Sequence, residues 1–306
     1  MTATAASYAA VDWGTSSFRL WLIGKDGTPL GERRSGEGMT TAAQEGFSAV
    51  LERHLAALDA PADLPVMICG MAGARQGWMD AGYMDVPARL EEIVGRAVVV
   101  PHSSRDIRIL PGLAQRIEAA PDVMRGEETQ LLGAYDEIGA GSHLLCMPGT
   151  HSKWVRLRDG AVEGFSTFMT GELFDVIGKQ SILRHALDGS EAFDGTHPAF
   201  IQAVKTACVS PARFSNLIFS ARSGQLLHGL DATSAKARLS GLLIGLEIAG
   251  ARDTAPDAVQ VQLVASGAMA ALYEAALSAA LLGVTVIDAD LAVRRGLQAA
   301  ARAVWP

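Results

Sequence analysis

The stretch VDWGTSSFRLWLIGKDG, from Val11 to Gly27, contains an apolar segment, a turn of small residues and a second apolar segment. The first segment ends on Asp12, and the turn is Gly14-Thr15-Ser16-Ser17. Gly24 to Gly27, read as GKDG, is a hairpin signal that closes the second segment. The pattern predicts strand, loop, strand, with a carboxylate at the end of the first strand and hydroxyls in the loop.

A second stretch has the same plan near the middle of the chain. Met147 to Gly160 reads MPGTHSKWVRLRDG, and both stretches contain Gly-Thr-x-Ser, a basic residue beside an aromatic one, an apolar segment and Asp-Gly. The spacing is similar, because Gly14 precedes Asp26 by 12 residues and Gly149 precedes Asp159 by 10. We interpret this as a weak internal repeat with one copy near the start of each half of the chain.

Composition and charge exclude several classes of protein. The chain has 306 residues, 49% of them hydrophobic and 19% charged, which suits a folded enzyme of about two domains. A net charge of -7 without a long basic run argues against nucleic-acid binding. Three scattered cysteines indicate neither a disulfide framework nor a zinc site, so we predict a reducing cytoplasm. We expect no secretory leader and no membrane span, since Glu247 and Glu274 interrupt the longest apolar tracts.

Strand and helix patterns alternate along the chain, which indicates an α/β protein. Short apolar or β-branched runs dominate the first half, and helical spacing dominates after the second loop. RGEETQLLGAY, Arg125 to Tyr135, predicts a helix that opens at Gly126. The flexible run Gly139 to Ser142 places the domain boundary near Ala140.

Loops rich in glycine and hydroxyls offer backbone N–H groups and side chains to phosphate oxygens. Two such loops could hold a polyphosphate, with Mg²⁺ on Asp12 and Lys153 neutralising a phosphate. Each loop taken singly is better explained as an ordinary hairpin turn, and only the duplication favours the phosphate. SGAMAALYEA, Ser266 to Ala275, predicts a strand, a glycine and a helix N-terminus that could face a nucleotide.

The three stretches, in this order, resemble the two phosphate loops and the adenosine loop of the actin, sugar kinase and Hsp70 superfamily. Within it, the chain resembles the 2-dehydro-3-deoxygalactonokinases through VDWGTSSFRLWL, GMAGARQGW, PGLAQR, DVMRGEETQLLGA, MPGTHSKWV and TFMTGELFDVI. The resemblance implies an α/β fold of two actin-like (ribonuclease H-like) domains, 1–140 and 141–306, with ATP and Mg²⁺ in the cleft between them. It also implies ATP-dependent phosphorylation of 2-keto-3-deoxygalactonate at its 6-hydroxyl, in galactonate breakdown.

The resemblance assigns roles to individual positions. Asp12 takes the place of the acid that faces Mg²⁺, and phosphate-binding positions follow in both loops: Gly14, Thr15, Ser16, Gly149, Thr150 and Ser152. Gly267 matches the glycine of the adenosine loop. The second loop of the superfamily often has an acid before its glycine, and this chain has Met147-Pro148 there. The resemblance therefore does not imply a metal contact from that side.

Glu128 occupies the place of the catalytic base in hexokinase-type relatives, at the start of the helix before the second loop, and Glu127 precedes it. A carboxylate there could accept the proton of the attacking sugar hydroxyl. Glutamate is also found in the phosphatase branch, where it orients water. Without the resemblance, two acids in a first helical turn are explained by the helix dipole.

The implied substrate carries a carboxylate, which a guanidinium binds through two parallel hydrogen bonds. We predict Arg75 for this role, with Arg19 as the second choice. Trp78 is predicted to wall the pocket and Glu172 to bind sugar hydroxyls, although core or surface roles explain both equally well. For His151, a contact with phosphate and a place in the turn are both compatible with the sequence. The sequence is also compatible with a homo-oligomer.

Three rival functions remain beside the kinase for 2-keto-3-deoxygalactonate. They are a kinase for another sugar acid, a phosphatase of the same fold, and a sugar-sensing protein without turnover. Retention of Asp12, Glu128 and both Gly-Thr loops argues against the last of these.

Overall fold

The computed structural model describes residues 6–306. The expectation of no secretory leader concerns the start of the chain, and residues 1–5 lie outside the described part. The strands of this described part are β1 (Ala6–Trp13), β2 (Phe18–Gly24), β3 (Pro29–Ser35), β4 (Val66–Gly70), β5 (Tyr83–Asp85), β6 (Ala88–Arg89), β7 (Val98–Val99), β8 (Ile107–Ile109), β9 (Gly112–Gln115), β10 (Asp122–Met124), β11 (Ser142–Met147), β12 (Ser152–Arg158), β13 (Ala161–Phe168), β14 (Gln260–Val264) and β15 (Gly283–Ile287).

The helices of the same part are α1 (Met39–Glu45), α2 (Phe47–Ala56), α3 (Leu90–Ile93), α4 (Glu127–Ile138), α5 (Thr170–Gln180), α6 (Arg184–Leu187), α7 (Pro198–Val209), α8 (Phe214–His228), α9 (Ala232–Thr254), α10 (Gly267–Ala279) and α11 (Ala289–Val304). Short 3₁₀ turns lie at Met71–Gly73, Val94–Arg96 and Pro211–Arg213. The predicted helix opening is confirmed, since Gly126 is the N-cap of α4 with a φ of 107°.

The chain divides into two compact units. Unit 1 contains residues up to Ala140, Asp159–Gly164 and Ala289–Pro306, and unit 2 contains Gly141–Arg158 and Phe165–Asp288. The predicted domain bounds, 1–140 and 141–306, stay a prediction. In the structure, Asp159–Gly164 and Ala289–Pro306 belong to unit 1.

In unit 1, the main sheet has the order β3-β2-β1-β4-β8-β7. Strand β2 is antiparallel to both β1 and β3, and β4 is parallel to both β1 and β8. Strand β1 is buried continuously from residue 8 to 11, as expected of a central strand covered on both faces. A second, three-stranded sheet of this unit has the order β10-β9-β5.

In unit 2, the strands run in the order β15-β14-β11-β12-β13. Strands β11 and β12 are antiparallel, and β11, β14 and β15 pair in parallel. The order is that of the main sheet of unit 1, with β11 in the place of β1 and β14 in the place of β4. The internal repeat is therefore a repeat of sheet topology, and the predicted α/β fold of two ribonuclease H-like domains is confirmed.

The closing helix α11 packs with unit 1 because of the spacing of its small and apolar residues. Its buried positions recur on one face, at residues 292, 293, 296, 297, 300 and 301. Two glycines let α11 approach α4 closely. A Cβ built on Gly296 would lie 1.9 Å from the carbonyl oxygen of Thr129, and one built on Gly133 would lie 1.9 Å from that of Ala292. The apolar stripe can be read in the sequence, but the surface that covers it cannot.

Candidate active site

The first phosphate-loop candidate lies between β1 and β2 in unit 1. The backbone N–H of Gly14 donates to the carbonyl oxygen of Ser17 at 2.9 Å, which closes the turn. Thr15 and Ser16 are exposed. Gly38 approaches the loop from the start of α1, where a Cβ would lie 2.5 Å from the nitrogen of Ser16 and the carbonyl oxygen of Thr15. The backbone of the loop is therefore packed against Gly38, while the side chains of Thr15 and Ser16 remain accessible.

Three titratable side chains lie together behind this loop, and we call Asp12, Cys69 and Glu128 the acid cluster. Asp12 and Cys69 are register partners at the carboxyl ends of β1 and β4, and the thiol donates to Oδ1 of Asp12 over 3.8 Å. Glu128 is fully buried in the first turn of α4. Its carboxylate accepts the N–H of Gly126, at 2.8 and 3.0 Å, and the hydroxyl of Thr129 at 3.0 Å.

Burial controls the electrostatics of the acid cluster. Burial raises the pKa of Glu128 to about 8, and the neighbouring charge of Glu127 acts in the same direction. The pKa of Asp12 is raised by burial too, with the Arg19 guanidinium opposing the shift. Burial, together with the charges of Asp12 and Glu128, raises the pKa of the Cys69 thiol well above its ordinary value. The thiol therefore stays protonated, and the cluster favours the approach of a cation or the uptake of a proton.

The predicted substrate residues of unit 1 lie in different surroundings. Arg75 is exposed, and its guanidinium makes no hydrogen bond or ion pair with residues 6–306. Arg19 is engaged, because its guanidinium forms an ion pair with Asp290 of the closing helix. Trp78 is half-buried, packs edge-on to Trp13 with ring centroids 6.1 Å apart, and lies against the core of this unit.

Sequence reasoning did not select Arg125, which precedes Gly126. Its guanidinium lies over the ring of Tyr83 at 4.3 Å, and Nη2 donates to the carbonyl oxygen of Gly82 at 3.0 Å. The other two nitrogens, Nε and Nη1, are buried without a hydrogen-bond partner among the described residues. A Cβ built on Gly73 would lie 2.9 Å from Nη1, so this guanidinium supports the glycine-rich turn that carries Arg75. The sequence signal that could have identified Arg125 is its position directly before Gly126-Glu127-Glu128.

The second phosphate-loop candidate lies between β11 and β12 in unit 2. Thr150 and His151 are exposed, whereas Ser152 and Lys153 are buried. Helix α5 begins against this loop, and a Cβ built on Gly171 would lie 2.6 Å from the carbonyl oxygen of Gly149. The exposed part of the loop thus consists of Thr150 and His151, and Gly149 is half-buried.

His151 and Glu172 are joined by a hydrogen bond between their side chains at this loop. The backbone N–H of Glu172 also donates to the carbonyl oxygen of Thr150 at 3.1 Å. The pair joins the loop to the first turn of α5, which gives His151 a structural partner that the sequence could not identify.

A cavity of about 390 Å³ opens beside the second loop, within unit 2. Its lining is mainly apolar and includes residues from α5, α9 and α10: Gly149, Thr170, Gly171, Phe174, Ala192, Phe193, Asp194, Lys236, Ser240, Leu243, Ile244, Ala268, Met269, Ala271, Leu272 and Tyr273. Gly267, the predicted adenosine-loop glycine, precedes this wall with a φ of 60° at the start of α10. A flat apolar group with a few polar contacts suits such a cavity. Phe174, Phe193 and Lys236 were missed because nothing in the sequence brings them together.

Within the acid cluster, Asp12 is the side chain that suits Mg²⁺. Residues 6–306 contain no group of three or more His, Cys, Asp or Glu side chains that could hold a metal ion by themselves. Magnesium in nucleotide enzymes is commonly held by one or two carboxylates together with substrate phosphates. Asp12 fits that pattern, because the weak S–H of Cys69 is its one hydrogen-bond donor among the described residues. Within those residues, no helix is both long enough and apolar enough to cross a membrane.

Comparisons with known proteins agree with one another. A model of the 2-keto-3-deoxy-galactonokinase family matches residues 12–300. The probable 2-dehydro-3-deoxygalactonokinase DgoK1 of Rhizobium meliloti (strain 1021) is 63% identical over 303 residues, which cover 99% of each chain. The 2-dehydro-3-deoxygalactonokinase of Escherichia coli (strain K12) is 35% identical over 299 residues, covering 98% of this chain and 99% of the relative.

One solved structure is similar throughout. It is the crystal structure of a Sinorhizobium meliloti protein assigned to the 2-dehydro-3-deoxygalactonokinases, with 63% identity and a TM-score of 0.95. The match covers 98% of this chain and 99% of that one.

Proposed function

The chain belongs to the 2-keto-3-deoxy-galactonokinase family, and from this premise we propose how its residues carry out the reaction. It is a carbohydrate kinase that uses ATP to phosphorylate 2-dehydro-3-deoxygalactonate in galactonate catabolism. We assign the transfer to the 6-hydroxyl of the D-sugar acid. The hydroxyl oxygen bonds to the γ-phosphorus, the bond from that phosphorus to the β-γ bridging oxygen breaks, and ADP leaves.

The duplicated loop is the observation that carries this proposal. Gly14–Ser17 and Gly149–Ser152 join the first and second strands of two sheets that share one strand order. In each loop, the threonine is exposed and the glycine is half-buried, while most of the following strand is buried. A pair of such loops suits a polyphosphate ligand, whereas a single hairpin turn would need no second copy.

We place the nucleotide in unit 2. The apolar cavity suits an adenine ring and ribose, and Gly149 belongs both to its wall and to the second phosphate loop. Gly267 starts the helix whose residues Ala268 and Met269 continue this wall. Lys153 is proposed to act on phosphate charge from the strand that follows the loop. A position of ATP–Mg²⁺ between the two units stays a prediction.

Asp12 is proposed as the residue that holds Mg²⁺. The ion, when bound, neutralises phosphate charge during transfer. Burial leaves the carboxylate of Asp12 poorly solvated, so a neighbouring cation would favour its ionised form. Replacement by asparagine keeps the shape and removes the charge.

Glu128 is proposed as the base that accepts the proton of the sugar hydroxyl. Its membership in the acid cluster supports this choice over Glu127, whose carboxylate accepts the backbone N–H of Arg125 at 3.0 Å. A buried carboxyl with a pKa of about 8 has the proton affinity of an effective base near neutral pH. The proton must leave Glu128 before it can act, so we expect activity to increase with pH as this group ionises.

For the substrate carboxylate we propose Arg75. Its exposed guanidinium is available for two parallel hydrogen bonds, whereas Arg19 is already paired with Asp290. The roles of Trp78 as a pocket wall and Glu172 as a ligand of sugar hydroxyls stay predictions. We also propose the cytoplasm as the location, and an assembly of identical chains stays open.

The test is ADP release by the purified protein with a panel of 2-keto-3-deoxy sugar acids, with the product identified by ³¹P and ¹³C NMR. We expect the galacto acid to be preferred and its C6 signal to couple to phosphorus. The Asp12→Asn variant, folded by circular dichroism, controls for contaminating kinases. Preference for another acid, or phosphate on another carbon, would overturn the assignment.

A further inference from the structure

A second buried carboxylate lies beneath the nucleotide cavity, and neither the loop motifs nor the family assignment gives it a role. Glu247, on α9, is 1% exposed. Its Oε1 accepts the indole N–H of Trp154 at 2.8 Å, and its Oε2 accepts the hydroxyl of Tyr273 at 2.9 Å. The side chains of Thr170 and Ser152 favour the ionised form of this carboxyl, and both oppose the increase that burial causes in its pKa. Each carboxylate oxygen thus accepts one hydrogen bond from a buried aromatic side chain.

The side chains that surround Glu247 belong to the elements that form the predicted nucleotide site. Ser152 and Trp154 are on β12, directly after the second phosphate loop, and Thr170 is the first residue of α5. Tyr273 comes from α10 and lines the cavity together with Thr170. One carboxylate therefore connects the strand that follows the loop, through Trp154, with the cavity wall formed by α10, through Tyr273. We call these five residues the Glu247 network.

The network also fixes the orientation of Ser152. Its side chain is fully buried, and Oγ lies 3.1 Å from the hydroxyl oxygen of Tyr273. This hydroxyl is directed into the protein, so the backbone of the loop and Thr150 remain to contact phosphate. The motif assigns Ser152 as a phosphate ligand. Its buried hydroxyl favours a structural role in holding the loop instead.

We propose that Glu247 is a positioning residue for ATP, acting through Ser152, Thr170 and Tyr273 rather than by touching the nucleotide. The proposal rests on the proposed use of ATP in this cavity. Loss of the carboxylate should weaken ATP binding, because loop, helix and cavity wall lose their common partner. Binding of the sugar acid, which we assign to residues of unit 1, should change little.

Glutamine at position 247 changes the chemistry without changing the size. The indole N–H of Trp154 can only donate, so it needs the amide oxygen. The amide nitrogen then faces Tyr273, whose hydroxyl must turn from donor to acceptor and donate instead towards Ser152. Tyr273→Phe removes that hydroxyl directly. Because both changes act on the same hydrogen bonds, their effects on ATP affinity should not multiply.

The experiment measures the Kd of ATP by calorimetry and the KM of both substrates for the wild type, Glu247→Gln, Tyr273→Phe and the double variant. Glu274→Gln is the matched control, since Glu274 is exposed on α10 beside Tyr273. We expect Kd and KM for ATP to increase about tenfold in Glu247→Gln, as for the loss of a charged hydrogen bond. The KM for the sugar acid should change less than twofold, and the double variant should be no weaker than Glu247→Gln.

Unchanged ATP affinity in folded Glu247→Gln would overturn the proposal, as would equal changes in both KM values. Should Glu247→Gln fail to fold, Tyr273→Phe decides by the same criteria. A wild type that binds ATP but phosphorylates none of the sugar acids would refute the proposed substrate, while the Kd series would still decide the role of Glu247. A wild type that does not bind ATP would refute both.

Discussion

Replacing Glu128 by glutamine should make the folded protein more stable in alkaline solution and at the same time a much slower enzyme. The stability effect follows from the burial of the carboxyl, which raises its pKa from an ordinary 4.5 to about 8. Between these values the folded chain keeps a proton that the unfolded chain releases. The unfolded state therefore binds fewer protons, and the free energy of unfolding falls as the pH rises.

The size of the effect can be worked out from the same two values. One pH unit of separation corresponds to about 1.4 kcal/mol. The interval from 4.5 to about 8 therefore lowers the free energy of unfolding by on the order of 5 kcal/mol above pH 8, relative to low pH. Glutamine never ionises, so Glu128→Gln should be close to the wild type at pH 5 and more stable by several kcal/mol at pH 9. Total stabilities are roughly 5–15 kcal/mol, so such a change is large.

The assay is urea unfolding followed by circular dichroism at pH 5, 6, 7, 8 and 9, with midpoints compared at constant m value. Glu137→Gln is the matched control, because Glu137 is exposed on the same helix. Glu127→Gln should reduce the pH dependence without abolishing it, since the charge of Glu127 contributes to the raised pKa of Glu128. A constant difference between Glu128→Gln and the wild type from pH 5 to 9 would show that Glu128 is ionised in the folded state, and the reasoning would fail.

Kinetics provide the second readout of the same variant. General-base catalysis typically contributes roughly 10²–10⁴-fold, so kcat of Glu128→Gln should fall within that range with little change in KM for ATP. In the wild type, kcat/KM should rise with pH until Glu128 is ionised, near pH 8. If Glu127→Gln loses activity and Glu128→Gln keeps it, the base is the neighbouring residue, and if neither loses activity, Glu172 and Asp175 are the next candidates.

Three further predictions concern the remaining parts of the site. Asp12→Asn should remain folded by circular dichroism and lose most of its turnover, and near-normal rates at saturating Mg²⁺ would contradict its assignment. Arg75→Ala should raise KM for the sugar acid about 10- to 100-fold, as for the loss of a charged hydrogen-bonded pair, with KM for ATP nearly constant; an unchanged KM for the acid would transfer the role to another arginine. Gly171→Ala should raise KM for ATP, because the new Cβ would lie 2.6 Å from the carbonyl oxygen of Gly149. Gly178→Ala is its control on the same helix, with its nearest contact at 3.4 Å, and equal effects of the two changes would show that loop displacement is not the cause.

Much of the fold was readable from the sequence because its signals are local. Apolar runs and turn residues predicted the strands on both sides of each loop, and Gly126 marked the start of α4. The repeat of Gly-Thr-x-Ser, a basic residue, an apolar run and Asp-Gly predicted two related domains, and the two sheets have the same strand order. Asp12 was selectable because it ends a buried strand directly before such a loop. In these cases the chemistry and the structural signal lie within a few residues of each other.

The tertiary structure decided what depends on contacts between distant residues. Glu247 is 93 residues from Trp154 and 26 from Tyr273, and no local pattern in the chain connects them. Ser152 reads as a phosphate ligand in its motif, yet its hydroxyl is buried against Tyr273. The apolar stripe of α11 was visible, but only packing assigned it to unit 1. The burial that gives Glu128 its raised pKa comes from all the elements around it, because desolvation depends on everything that excludes water, and a single helix turn of sequence does not contain that information.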